Sequence, residues 1–448
     1  MNISKRYYIT FLWAKFVHDV LYYRRTYLRM KSPYPKRGTS MVIVSNHQNS
    51  LNDAMGIILT MRGQKVWFMA RADVFKNKFI SKLLTFLGIM PVYRQRDGHA
   101  NLKNNFDIFG KAEDFILQGI PICLFPEAKH QDRHYLGKFY LSYTRLAFEA
   151  AERSNFEKEI FILPSANHYQ DYFSIQSDLL ISYGNCISLK PYYQLYKENP
   201  RKAQEIVNDI VYKEVREMML DIQEEEHYQE IYDILGNFGV DYAIANKTNP
   251  YKLPDKLKID QTIVATIEAE KEKNFDNFKH ICQLSKEYSL LLKQTNLSDI
   301  CIKNTYSWIS FVLNFLLLLL LFPLFVFGLA HHIVQYFLPK RISRKFKDKL
   351  LRPSVDLAMA MTITIPITYF IFMILYPSFI HPFWLGILVY LCVPWTGRIA
   401  GFWIRKSNLY INMVRAFYIK NTNKNLWNSL TNKRKELINI MFSLMQKS

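Results

Sequence analysis

The stretch Met41-Val-Ile-Val-Ser-Asn-His-Gln-Asn-Ser-Leu-Asn-Asp53 decides how this chain is read. Residues 41–44 are a short apolar run with branched side chains, the pattern of a strand covered on both faces, and the run ends abruptly at Ser45 in polar residues. A histidine directly after a strand, with a carboxylate a turn or two into the next helix, suits a general base held in one tautomer by an acidic partner. A surface histidine followed by a helix-capping polar run has the same local sequence. The stretch alone does not separate the two.

Working outward, the same pattern recurs. KVWFMAR (65–71), IPICLFPE (120–127) and EIFILPSANHY (159–169) each place a β-rich apolar run before polar residues, and helix-like segments over 75–87 and 101–118 lie between them. Alternation of this kind predicts an α/β domain over 36–190 with a mostly buried sheet, whose functional groups collect at strand ends.

Further blocks follow His47 and Asp53 in order. WFMARADVF (67–75) leads to Gly88-Ile-Met-Pro91-Val-Tyr-Arg94; Phe125-Pro-Glu127 is followed by Asp132-Arg133; then come Ile162-Leu-Pro164 and SDLLISYGNCI (177–187). Read together, these blocks resemble the PlsC-like glycerolipid acyltransferases, a family that includes glycerol-3-phosphate and 1-acylglycerol-3-phosphate acyltransferases. The resemblance covers about residues 36–190. It implies an acyltransferase-type α/β fold, with His47 and Asp53 as catalytic residues and Arg94, Glu127, Gly88, Pro91, Arg71 and Arg133 as the substrate-binding set.

The chemistry of these residues is consistent with that reading. Transfer from a thioester needs a base for the attacking hydroxyl, and an imidazole titrates close to neutral pH. Asp53 would orient the ring and stabilise the imidazolium. Arg94, at the end of the Gly88-x-x-Pro91 turn, can present a guanidinium fork to phosphate, or be a solvated charge beside Arg96. Glu127 can bind a glycerol hydroxyl or fix the loop. Arg71 and Arg133 are anion-binding candidates or solvated charges. The chain departs from the family pattern in four places: five residues separate His47 from Asp53 where four are usual, Ala128 stands where glycine is usual, Lys129-His130 where a serine or threonine is common, and Ser142 where relatives often carry glycine. An altered head group is one consequence to expect, because an added Cβ obstructs a close backbone approach.

Composition bounds the rest. The chain has 448 residues, is 50% hydrophobic and carries a net charge of +20. Its five cysteines are scattered with no CxxC pair, so neither a disulfide framework nor a zinc site is expected, and no cofactor is implied. Nine, seven and nine Lys/Arg fall in residues 1–38, 338–352 and 405–448, each with one acid, leaving the remainder close to neutral. A nucleic-acid partner is therefore not expected, because the α/β and helical parts have no excess positive charge. Anionic membrane lipids are, since each basic segment borders apolar sequence.

Residues 1–35 read as an interfacial amphipathic helix and a basic arm: YYITFLWAKFVHDVLYY (7–23) contains Lys15 and Asp19 and is too interrupted to span. No small-residue cleavage site follows it, so a cleaved signal peptide is not expected. Residues 191–303 form a charged helical segment. Within 304–404, three apolar runs (about 308–330, 355–376 and 382–403) reach the thickness of a bilayer, and 405–448 reads as a basic cytoplasmic tail. Pro323 falls in the middle of the first run, which is read as broken or re-entrant, keeping the α/β domain on the cytoplasmic side of an inner membrane.

The expected activity is acyl transfer from acyl-CoA or acyl carrier protein to glycerol 3-phosphate or a lysophospholipid such as 1-acylglycerol 3-phosphate. Acylation of another acceptor, such as a lyso-aminolipid, and a non-catalytic lipid-binding role are the alternatives.

Overall fold

The computed structural model describes residues 4–447 apart from 62–63, 77, 94–98, 128–132 and 305, and omits the side chains of 79–80, 99–104 and 447. The chain divides into two units. One comprises residues 1–220 together with 339–362, the other 221–338 together with 363–448.

The first unit is built on an eight-stranded sheet. Helix α1 (Lys5–Phe16) continues into a π-helical turn, Val17–Tyr22, and leads to β1 (Arg25–Met30). There follow β2 (Met41–Ser45), α2 (Leu51–Thr60), β3 (Trp67–Arg71), α3 (Lys78–Leu87), β4 (Ile89–Val92), α4 (His99–Leu117) and β5 (Ile122–Leu124). Then come α5 (Ser142–Arg153), β6 (Phe161–Tyr169), β7 (Asp178–Tyr183), β8 (Ile187–Ser188), α6 (Tyr193–Glu198) and α7 (Pro200–Arg216). The sheet order is β1-β7-β6-β2-β5-β3-β4, with β8 on β6. Strands β6, β2, β5, β3 and β4 are mutually parallel, whereas β7 runs against β6 and β1 follows β7.

The four expected strands are present where the apolar runs lie, and for the expected reason. Met41, Val42, Ile43 and Val44 are fully buried on both faces. On one face Val42, Val44 and Ile122 pack with Leu146 and Phe148 of α5 and Val207 and Val211 of α7. On the other, α2 lies close enough to β7 that a Cβ on Gly56 would sit 3.1 Å from the Ile181 side chain. Each fully buried aliphatic side chain of this kind contributes roughly 2 kcal/mol.

The domain limits at 36 and 190 differ from the structure at both ends. Strand β1 belongs to the sheet although it lies in the expected basic arm, and its alternating Arg25 and Arg29 hide the strand pattern because an edge strand tolerates charge. Arg24 pairs with Asp178 at 2.7 Å, and Lys31 lies 3.0 and 2.8 Å from Glu214 and Glu217. Helix α7 joins the same core through Val207, Val211 and Val215 rather than the charged helical segment.

In the second unit, helices Tyr228–Asn237, Leu253–Lys273 and Phe275–Thr295 share a core that includes Ile234, Leu257, Ile263, Phe278 and Tyr288. Residues Trp308–Ser343 form one uninterrupted helix through Pro323. The expected break is absent: proline removes a single ladder hydrogen bond, whereas opening the helix in hydrocarbon would strand several backbone groups. Among the described residues, three helices, Trp308–Ser343, Arg352–Phe379 and Phe383–Thr422, are long and apolar enough to cross a membrane.

The basic tail is likewise corrected. Residues 405–422 continue the last long helix, and Lys424–Lys447 forms another that packs on Phe275–Thr295. Arg434 meets Asp299 through two bonds, 2.8 and 3.1 Å, and also contacts Asp241; Lys433 pairs with Glu287. Part of the tail's charge is thus neutralised within the protein.

Candidate active site

Parallel strands β2, β5, β3 and β6 bring Asn46–His47, Phe125–Glu127, Arg71 and Tyr169 to one edge of the sheet, the carboxyl edge, where ligands of open α/β sheets bind. Ser45 is in register with Ser165, and Val44 with Leu124. Asn46 and Asn167 then exchange two hydrogen bonds, Asn46 Nδ2 to the Asn167 carbonyl at 2.9 Å and Asn167 N to Asn46 Oδ1 at 2.8 Å. This reciprocal bracket fixes the point at which the chain leaves β2.

His47 and Asp53 come together. Asp53 Oδ2 lies 2.9 Å from His47 Nδ1 and also accepts the backbone N–H groups of Gln48 (2.9 Å) and Asn49 (2.7 Å). Its second oxygen, Oδ1, accepts from the Tyr169 hydroxyl at 2.7 Å. Asp53 and Tyr169 are fully buried, and the phenol is held well above its ordinary pKa by burial and then by the adjacent carboxylate. The buried Asp53 is stabilised by four donors, which is what a buried carboxylate requires. The imidazole of His47 keeps 21% of its surface exposed and stacks on Phe125, with ring centroids 4.4 Å apart.

Glu127 is the second buried carboxylate. One oxygen accepts the His47 backbone N–H at 2.6 Å and the other that of Gly137 at 2.8 Å. Of the two roles open to it, fixing the loop is the one these contacts perform. Gln48 receives the Tyr172 hydroxyl at 2.7 Å and reaches the Arg133 carbonyl at 3.4 Å, which brings Arg133 beside the His47 loop with its side chain exposed. Tyr172 also meets His134 Nδ1 at 3.0 Å, and burial pushes the His134 imidazole down to about 4.

The remaining expected residues are placed differently. Gly88 turns the chain from α3 into β4 with φ of 89°, and a Cβ there would lie 2.8 Å from the Val66 carbonyl, so backbone geometry accounts for the glycine. Pro91 sits on the edge strand β4 opposite Ala70, a position that tolerates a missing N–H. Arg71 is exposed and ion-paired with Asp73. Arg94 and Ala128 lie outside the described residues.

Sequence reading missed Tyr169, Tyr172, Gln48 and His134 as contributors. Tyr169 ends the quoted run EIFILPSANHY, and its position one residue past His168 at a strand end was the available signal. Among the described residues, no group of three or more His, Cys, Asp or Glu could hold a metal ion, and all five cysteines are free.

Fold and site together are those of an enzyme with its polar centre at the carboxyl edge of a mostly parallel sheet. Residues 25–167 match the family model described as Acyltransferase, so the chain carries an acyltransferase domain and is an acyltransferase. Among solved structures it is similar to the 1-acyl-sn-glycerophosphate (LPA) acyltransferase PlsC from Thermotoga maritima, with 13% identity over 46% of this chain and 78% of that one and a TM-score of 0.31, a likeness too slight to bear on substrate. No curated protein matches the chain.

Proposed function

We propose that the protein is a membrane-bound glycerolipid acyltransferase, with His47 as general base and Asp53 as its orienting partner. The observation that carries this reading is the 2.9 Å contact between His47 Nδ1 and the buried carboxylate of Asp53, with part of the ring exposed. Donation of Nδ1–H to Asp53 selects the tautomer in which Nε2 bears the lone pair.

In the proposed reaction, Nε2 takes the proton of the acceptor hydroxyl as its oxygen attacks the thioester carbonyl. A C–O bond forms, the C–S bond breaks, and the imidazolium returns the proton to the leaving thiolate. Asp53 stabilises the imidazolium while it exists. Acyl-CoA or acyl carrier protein is the donor, and glycerol 3-phosphate or 1-acylglycerol 3-phosphate the acceptor. Arg94, by the resemblance of its block, and Arg133, which borders the His47 loop, are proposed for the phosphate. The protein works on the cytoplasmic leaflet of the inner membrane. Support comes from Arg341, Arg344, Lys345, Lys347 and Lys349, all exposed at the end of the first long apolar helix, where each basic residue near an anionic surface contributes about 1 kcal/mol.

The test is expression in a strain lacking its own glycerol-phosphate or lysophosphatidate acyltransferase, followed by lipid analysis. Restored phosphatidate synthesis that His47→Ala abolishes is the expected result. Transfer confined to a lyso-aminolipid acceptor would replace the acceptor assignment, and wild-type turnover by the His47→Ala protein would overturn the base.

A further inference from the structure

Helix α2 begins at the active-site loop, and the first backbone N–H groups of any helix need an external acceptor. Ser50 occupies the N-cap position but has φ of 46°, and its side chain makes no capping bond; its buried hydroxyl has no partner. The Asn52 N–H donates to the Asn49 carbonyl at 2.9 Å. A second acceptor comes from far along the chain: Ser354, in the helix Arg352–Met359, also accepts that N–H at 3.3 Å and donates its own hydroxyl to the same Asn49 carbonyl at 3.0 Å, clipping both ends of the turn. Ser354 is 2% exposed.

Asn49 is the shared element. Its N–H is bound to Asp53 Oδ2 at 2.7 Å while its carbonyl is held by Ser354. The same peptide segment therefore connects Ser354 to the carboxylate that touches His47. The helix carrying Ser354 is itself held in the first unit: Tyr22 donates to the Pro353 carbonyl at 2.9 Å, Trp13 Nε1 donates to the Met361 carbonyl at 2.8 Å, and Leu357 is buried.

We propose that Ser354 is a positioning residue for the His47–Asp53 pair, bracing the Asn49–Asn52 turn that opens α2, so that the start of the Arg352–Phe379 apolar helix completes the active site. The inference rests on the reading of His47 as the base. Loss of the hydroxyl frees the Asn49–Asn52 turn, and with it the acceptor geometry of Asp53, without touching a substrate-binding group.

The experiment compares the full-length wild type with Ser354→Ala and His47→Ala in detergent micelles, using acyl-CoA and glycerol 3-phosphate or its 1-acyl derivative, whichever the wild type uses. Ser354→Ala is expected to lower kcat about tenfold, the scale of a lost helix cap, with KM for acyl-CoA within about twofold and the acidic limb of the pH profile moved upward. Hydrogen exchange at the Asn52 amide is expected to accelerate while exchange in β2 and β6 stays slow. If Ser354→Ala does not fold, Ser354→Cys, close in shape and a weak donor, is read in the same way. Wild-type kcat and pH profile in the serine variant beside an inactive His47→Ala would overturn the inference; an active His47→Ala would instead overturn the base assignment beneath it.

Discussion

Tyr169 donates its hydroxyl to Asp53 Oδ1 at 2.7 Å, while Oδ2 of the same carboxylate faces His47 Nδ1. A buried carboxylate needs its lone pairs met by donors, and the tyrosine meets Oδ1. Tyr169→Phe removes that donor and keeps the rest of the side chain. The unfolding free energy is expected to fall by about 1–3 kcal/mol from the unpaired buried oxygen, and kcat to fall severalfold as the carboxylate loses an anchor. Wild-type stability and kcat in the purified variant would count against this role.

Asp53→Asn keeps the shape of the side chain and removes its charge. The amide no longer stabilises an imidazolium, and kcat is expected to drop by about 10²–10⁴-fold across the whole pH range. Steady-state kinetics with saturating thioester separates this from Tyr169→Phe, which keeps the charge and is expected to lose less.

Glu127 accepts two backbone N–H groups, one on each oxygen. Glutamine has one acceptor oxygen and an NH₂ that must face the other N–H, so Glu127→Gln is expected to destabilise the protein by about 1–3 kcal/mol and to lower activity by displacing His47. A thermal midpoint and a kcat measured on one preparation check both.

His134 makes stability fall on acidification. Its imidazole titrates at about 4 in the folded protein and near 6.5 when unfolded, so between these values the unfolded chain binds more protons. The contribution is fully present above pH 6.5 and is lost as pH falls towards 4, by about 3 kcal/mol at most. Replacing His134 with phenylalanine is expected to flatten the stability curve in that window, as read by denaturant unfolding at pH 4.5 and 7.

Arg434 lies between Asp299 and Asp241, all three largely buried. Arg434→Met takes the cation from Asp299 and leaves Asp241 with Lys303, 2.6 Å away, and is expected to cost up to about 3 kcal/mol in the helical unit. Faster hydrogen exchange in Phe275–Thr295 and Lys424–Lys447, with acyl transfer per folded molecule unchanged, is the expected signature.

How much was legible in advance followed from the range of the interactions. Strands β2, β5 and β6 announce themselves through local apolar runs, because burial on both faces demands them, and β3 does so through a shorter run of which Phe68 is buried. Strand β1 does not, since Arg25 and Arg29 are allowed at an edge. His47 and Asp53 stand six residues apart and were readable as a pair. Tyr169 reaches Asp53 across 116 residues and Ser354 reaches Asn49 across 305, and no local pattern encodes either contact. Glu127 was readable as a position, but the two backbone amides it accepts, from His47 and Gly137, were not.

The catalytic unit is discontinuous, with residues 339–362 folding beside residues 1–220. Translation runs from the amino end, so the sheet, His47 and Asp53 all emerge from the ribosome before the serine that braces their loop has been made. One long apolar helix, Trp308–Ser343, is made in the interval. A nascent chain therefore holds His47 and Asp53 in an incompletely braced loop until that helix has followed, and the order of synthesis sets when the loop is completed.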